Sequence, residues 1–500
     1  MNSFVDLRRR ALVLCLGVAA LGGLAAAQTP EEFARRRFES GRAFLRAQNY
    51  VEALKDFEAV LQSYPTSGVA DDALLEIATY QLEVAHDPAA AELRAKELLK
   101  SYPASDSSAM ALVLEGRIAL AKGRSPEAVT TALASFDRVP RLFPGSEAVP
   151  AAMYYAGESL RIGNLREQAI ERFAQLARQF PTSPWTANAL IGSAVSLTQS
   201  GQPTRAMEQL QRVRSQFPRS PEAAVALDWN TVLYRLYVRA PAQPAFLFSG
   251  RTIAGQGGKL KDAIDVAILP DSSVLVASKT SVAAYGAKGS VVSTVGSVDP
   301  LTLQFDRRGS MMTVHETGIR LEAKTPLVLL PPVIDGHARE LKISDGLEMA
   351  SGEYLVADRN QKNILKFAID GKYLGEFARQ QDVRRMSINE LDDVVALDAG
   401  TKTVTLFNRD GKVLKQIAER GTNYQLRDPA DVAFDALGHV YVLDRSSVLV
   451  FSPDGGKLLT TFTVPEKAAG AIGDGSALAL DTAGRLYVLD GKSDSVKVYR

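Results

Sequence analysis

The chain has 500 residues, of which 46% are hydrophobic and 23% charged. That length exceeds a single hydrophobic core and that composition is too apolar for general disorder, so two or more folded domains are expected. Its 58 basic and 57 acidic residues nearly cancel, which excludes a global basic field for nucleic acid or acidic lipid, and no nucleic-acid partner is expected.

Residues 1–27 differ from the rest. Arg8, Arg9 and Arg10 precede an apolar run from Ala11 to Leu24, and Ala25, Ala26 and Ala27 follow. A basic start, a short apolar core and small residues at a cleavage site predict a signal peptide cut after Ala27, with a paired-arginine export route as the alternative. The apolar run is too short for a membrane anchor, so no transmembrane helix is expected in the mature chain. Cys15 is the only cysteine and follows Leu14, whereas a lipid-bearing cysteine should follow a small residue. Cleavage would remove it, leaving no disulfide, thiol nucleophile or cysteine metal ligand. The expected location is periplasmic or secreted.

From residue 29 to 240 an aromatic-Pro-x-Ser phrase recurs at Tyr64, Tyr102, Phe143, Phe180 and Phe217, at intervals of 38, 41, 37 and 37 residues. A period in this range predicts stacked helical hairpins. Proline ends each second helix, and the serine after it is placed to cap the next one, as at Ser183-Pro184 and Ser220-Pro221. Within hairpins, Gly41 and Gly157 on first helices face Ala53, Phe57 and Ala169, Phe173 on second helices, a small-against-large pattern that lets backbones approach. Thr79 and Ala95 break it in the second repeat, and an insertion around Gly123 to Glu127 stretches the third. The stretch Ser220 to Arg239 predicts a closing helix whose Trp229, Leu233 and Tyr237 seal the last repeat or touch the next domain.

These residues resemble the tetratricopeptide repeat. The form at Phe180 to Ala189, F-P-x-S-P-x-A-x-x-A, is similar to two bacterial envelope families: the cell-division coordinator of the Tol–Pal system and the lipoprotein subunit of the outer-membrane β-barrel assembly machine. The resemblance implies binding of extended protein segments and no catalytic residues. Arg161 and Asn188, polar and on first helices, are the candidate groove residues.

Residues 241–261 read as a linker, broken by Pro241 and Pro244 and by Gly250, Gly255, Gly257 and Gly258. The run Gly255 to Lys259 is no phosphate loop, because Ile253 stands where the first glycine belongs and no Ser or Thr follows the lysine.

From 262 to 500 the apolar period drops to two. Its clearest unit runs Pro429 to Asp435, Leu437 to Asp444, Val448 to Phe451 and Leu458 to Phe462. Taking Ser278, Glu316, Asp358, Asp398, Asp444 and Asp490 as equivalent gives steps of 38, 42, 40, 46 and 46. Four-stranded units at this spacing predict a six-bladed β-propeller. The chain is therefore expected to be a multidomain α plus all-β protein, an α-solenoid followed by a propeller. The phrase D-x-x-G-x-x-Y-V-x-D followed by D-G is similar to the NHL repeat, whose members mostly bind proteins or RNA, with a few metal-requiring lyase or lactonase relatives. The last unit lacks a fourth strand, which Ala245 to Phe248 or the residues just after it would supply. The recurring aspartates are expected to accept backbone hydrogen bonds in turns, and the Asp-Gly pairs to be hairpin turns.

No motif for catalysis stands out. His86, His315, His337 and His439 have no metal-ligand spacing, and no nucleophile elbow occurs. No catalytic, cofactor-binding or metal residue is assigned. The expectation is a non-enzymatic exported scaffold, with a protein segment in the helical groove and a second protein or a cell-wall glycan on the propeller face. The alternative is a metal-dependent hydrolase or lyase on the propeller, with the repeats as its targeting arm.

Overall fold

The computed structural model describes residues 29–240, 243–254, 260–286, 289–296, 299–306, 309–321, 327–334, 337–417 and 425–500. The expected signal peptide and its cleavage point, and the glycine run 255–259, lie outside the described residues. The chain divides into two compact bodies, one ending at Ile77 and the other running from Ala78 to Arg500.

Among the described residues eleven α-helices come first: α1 (Pro30–Arg46), α2 (Tyr50–Ser63), α3 (Ala70–Glu83), α4 (Pro88–Ser101), α5 (Asp106–Lys122), α6 (Pro126–Leu142), α7 (Ala148–Ile162), α8 (Arg166–Gln179), α9 (Pro184–Gln199), α10 (Pro203–Gln216) and α11 (Pro221–Leu233). They form a tetratricopeptide-like array. Each aromatic stop is the C-cap of a second helix, and the serine three residues on donates its N–H back to the aromatic carbonyl, as Ser183 does to Phe180 at 3.1 Å and Ser220 to Phe217 at 3.0 Å. Prolines then open α9, α10 and α11, where the missing N–H has no helical partner to lose. Ser183 caps α9 with its hydroxyl, whereas Ser220 makes no side-chain cap to α11.

Inside the hairpins the small-against-large rule is literal. A Cβ on Gly41 would sit 2.6 Å from the Phe57 ring, and one on Gly157 would overlap Phe173. The third repeat has the same pair, Gly116 against Phe136. Its α5 and α6 run to 17 residues each.

The β part is a six-bladed propeller with four antiparallel strands per blade. The inner strands are Ala263–Ile268, Thr302–Phe305, Ile343–Glu348, Val383–Ile388, Pro429–Phe434 and Gly475–Leu480, and each touches the next in a closed ring, the sixth meeting the first. A small hairpin, Val333–Ile334 with His337–Ala338, lies between blades 2 and 3. Blade 6 takes its outer strand from Phe248–Ile253, which pairs antiparallel with Ser495–Tyr499 near the end of the chain. One blade thus contains both ends of the propeller sequence, which closes the ring and covers the edge. The hairpin glycines of the D-G pairs, Gly371, Gly411 and Gly455, have φ of 84°, 79° and 67°, the left-handed conformation the turn demands.

The segment read as a linker is a packed joint. Ala245 and Phe246 are buried, Phe246 lying edge-on to Tyr441 and Phe462 with the Arg235 guanidinium 4.7 Å from its ring. They belong to one continuous core that runs from α8–α11 into blades 5 and 6, including Leu210, Val232, Leu233, Leu437, Tyr441 and Tyr499. Because antiparallel strands reverse direction, the loops after first and third strands share one propeller face. That face meets the helices. Arg124, in the stretched α5–α6 turn, donates to the Glu390 carbonyl; Arg409 donates to the carbonyls of Arg124 and Ile162; Trp229 donates to Thr482 and Arg235 to Gly484, each at 3.0 Å.

Candidate binding site at the propeller axis

The residues singled out from the sequence do not converge. Arg161 was expected in an open groove. It is instead 7% exposed, with its guanidinium on Glu158 at 2.7 Å and on Glu390 of blade 4 at 3.2 Å. Two carboxylates hold its charge firmly in place, pushing its pKa up against the cost of burial. It fastens a repeat to the propeller, which corrects the groove assignment. Asn188 is half-buried on α9 and donates to the Pro184 carbonyl one turn back at 3.4 Å. Of the histidines, His86 lies in the α3–α4 turn and His337 in the small hairpin. His315 pairs with Thr313 at 3.0 Å. His439 is fully buried between Asp435, 2.8 Å from Nδ1, and the Tyr237 hydroxyl, 3.0 Å from Nε2, so it too joins helices to blade.

The recurring aspartates are turn acceptors. Asp358 takes the N–H groups of Lys342, Asn360 and Gln361; Asp398 takes Thr401; Asp444 takes Arg427 and Asp428; Asp490 takes Gly473 and Asp474.

A different set of charges occupies the axis. Three odd-numbered blades each place an aspartate on the inner strand: Asp265, Asp345 and Asp431, all buried. One oxygen of each accepts the N–H of the following residue, and the other reaches the next blade: Asp265 to Leu303 at 2.8 Å, Asp345 to Met386 at 2.7 Å, Asp431 to Leu478 at 2.7 Å. The even blades present Thr302, which donates to Asp345 at 2.7 Å, and Arg385. Arg385 lies 3.6 Å from Asp265 and 3.9 Å from Asp431, and donates to the carbonyls of Leu301 and Ile264. Three carboxyls around one guanidinium leave the cluster short of positive charge. Burial raises all three carboxyl pKa values, Asp345 to about 6 and Asp431 to about 7, with Arg385 pulling the other way.

The register of the inner strands explains this aim. In blades 1, 3, 4, 5 and 6 pairing slips just before the axial position, at Ile264, Ser344, Arg384, Ala430 and Ser476. A bulge re-aims side chains. Ser344, Arg384, Ala430 and Ser476 consequently line a cavity of about 550 Å³ on the face away from the helices, whose floor is Arg385. Its rim carries Lys342, Arg359, Arg384 and Arg445 against Glu316, Asp428 and Asp474. Lys342 and Arg359 have carboxylates at 3.8 Å and 3.2 Å, while Arg384 and Arg445 make no ion pair among the described residues. A smaller cavity of about 180 Å³ lies on the other side of the Arg385 layer.

A divalent cation needs several carboxylate or imidazole donors free to turn toward it. The axial carboxylates are committed to backbone N–H groups, and the mouth holds more guanidinium and ammonium groups than carboxylates. None of His315, His337 and His439 lines it. The residues present do not fit a metal centre; the mouth suits an anionic or hydrogen-bonding partner.

Comparison with known proteins agrees with the helical part. Residues 30–192 match the family model of the YfiO outer membrane lipoprotein, and residues 188–220 match a tetratricopeptide repeat model. No curated protein matches the sequence. Solved structures similar to the chain include a streptogramin B lyase (9% identity, 51% of this chain and 97% of that one, TM-score 0.37) and a gluconolactonase from Xanthomonas campestris (13%, 52% and 98%, 0.38). An aldose sugar dehydrogenase from Streptomyces coelicolor is similar at 13% identity over 52% of this chain and 99% of that one, TM-score 0.35. At these values none bears on the chemistry of this chain. No helix among the described residues is long and apolar enough to cross a membrane.

Proposed function

We propose that this protein is a non-enzymatic exported scaffold of the bacterial cell envelope, delivered by the signal peptide at 1–27 and acting in the periplasm. The helical repeats hold an extended protein segment, as tetratricopeptide arrays generally do. The open, basic-rimmed propeller mouth holds a second protein or a cell-wall glycan. The observation that carries this reading is the shared core. Helices α8–α11 and blades 5 and 6 are packed as one body, so two binding surfaces are held in fixed relation, which an adaptor requires and a tethered targeting arm does not. The match to an outer membrane lipoprotein model supports the location.

The test places a photo-crosslinking residue at Asn188 or at Arg445, one at a time, in native envelopes. The scaffold reading expects a distinct adduct from each position. No adduct from either, together with metal-dependent hydrolysis or elimination by the purified protein, would favour the hydrolase or lyase alternative.

A further inference from the structure

A third cavity, of about 700 Å³, opens where α11 and blade 6 meet, lined by Asp228, Tyr234, Arg235, Arg239 and Arg485 among others. It lies on the helical side of the protein and shares no lining residue with the axial mouth. After α11 the chain winds one π-helical turn, Tyr234–Val238, closed by the Arg239 N–H on the Tyr234 carbonyl at 2.9 Å. Such turns widen the helix, and here the turn sets Arg235 and Arg239, four residues apart, on the same cavity wall.

Four arginines line the cavity, Arg500 being the fourth, and they are not equivalent. Arg485 is neutralised by Asp481 at 2.5 Å. Among the described residues Arg239 has only the neutral Gln243 side chain as a side-chain partner, at 3.2 Å. Arg235 donates one nitrogen to the Gly484 carbonyl and stacks on Phe246, but its Nε is buried without a partner and no carboxylate pairs with it among the described residues. Burial, and the like charge of Arg239, push the Arg235 pKa down. Asp228 contributes attraction from a distance without closing an ion pair, and burial raises its own pKa. A partly buried guanidinium with an unpartnered Nε, lining a cavity beside a second cation, is a costly arrangement unless an anion completes it. Guanidinium pairs select oxyanions through paired N–H donors.

We propose that this cavity is an oxyanion site, taking a carboxylate or phosphate group between Arg235 and Arg239. Tyr234, 49% exposed at its edge, offers a face for the organic part of such a ligand. Because Arg235 also rests on Phe246 in the shared core, an anion here tightens the joint between repeats and propeller.

The test is a thermal-shift and calorimetric titration of the full chain with inorganic phosphate and, separately, citrate, each at ~10 mM against an equal ionic strength of chloride. The expected result is a rise in Tm of several degrees with one anion or both, the stronger arm identifying phosphate or carboxylate as the preferred group. Arg239→Gln, a substitution on the rim, should weaken binding by ~10-fold or more, while Arg445→Gln at the axial mouth leaves it unchanged. No stabilisation by either anion beyond chloride, or a response unaltered in Arg239→Gln, overturns the proposal; loss in Arg445→Gln instead would move the site to the mouth.

Discussion

Arg385 lies 3.6 Å from Asp265, reaching from blade 4 to blade 1 across the propeller axis. The pair joins opposite sides of the ring, and the same guanidinium also reaches the Leu301 and Ile264 carbonyls of blades 2 and 1. Removing the guanidinium leaves Asp265, Asp345 and Asp431 buried without a counter-charge. Arg385→Met should therefore cost roughly 3–5 kcal/mol of stability above neutral pH. The loss should shrink in mild acid, where the carboxyls take up protons. Urea unfolding at about pH 8 and about pH 5 checks both halves.

The same cluster sets a pH dependence of known sign. Asp431 has its pKa raised to about 7 in the folded protein, and an unfolded aspartate titrates near 4. The folded state thus holds a proton that the unfolded state has released. The stability this contributes is complete below about pH 4 and is lost as pH rises through about 7. Asp431→Asn should flatten the decline of stability across that window by on the order of 1 kcal/mol per pH unit, while losing one backbone acceptor. Matched unfolding curves across the window check it; parallel profiles for both proteins would contradict it.

Phe173 fills the hole opposite Gly157 in the fourth repeat. Phe173→Ala should cost roughly 3–5 kcal/mol, and Gly157→Ala, which drives a methyl into the ring, roughly 1–3 kcal/mol. Because the two act on one hole, combining them should cost less than the sum, a coupling that a double-mutant cycle by chemical denaturation would measure.

Phe246 connects Arg235 on the helical side to Tyr441 and Phe462 in blade 5. Phe246→Ala should destabilise by roughly 3–5 kcal/mol and shift the loss of helical and sheet signals together. Circular dichroism and infrared amide bands followed through one thermal scan distinguish this from a change confined to one half.

The sequence disclosed what repeats locally. Aromatic-Pro-x-Ser stops mark every helical hairpin because the turn they build is the same each time, while Asp-Gly turns mark blades 3, 4 and 5 and Y-V-x-D strands mark blades 5 and 6. The axial cluster was hidden for two reasons. Its members recur in alternate blades, at steps of 80 and 86 residues from Asp265 to Asp345 to Asp431, and a bulge decides which of Arg384 and Arg385 points inward. A usable signal existed: a single charge interrupting the apolar inner strand, as in Ala263–Ile268 and Pro429–Phe434. Arg161 misled because position on a first helix says nothing of what the next domain brings against it. Tyr237 and Trp229 were legible as seals, since large aromatics at helical spacing past the last repeat need a surface to cover.

The account rests on helical repeats and propeller being one body between Ala78 and Arg500, so the most direct measurement is the distance between them. Spin labels at the exposed Arg205 of α10 and the exposed Lys492 of blade 6, read by double electron–electron resonance, should give one narrow distance distribution that broadens in Phe246→Ala. A broad distribution in the unsubstituted protein would mean that the propeller swings on a tether, and would contradict the account.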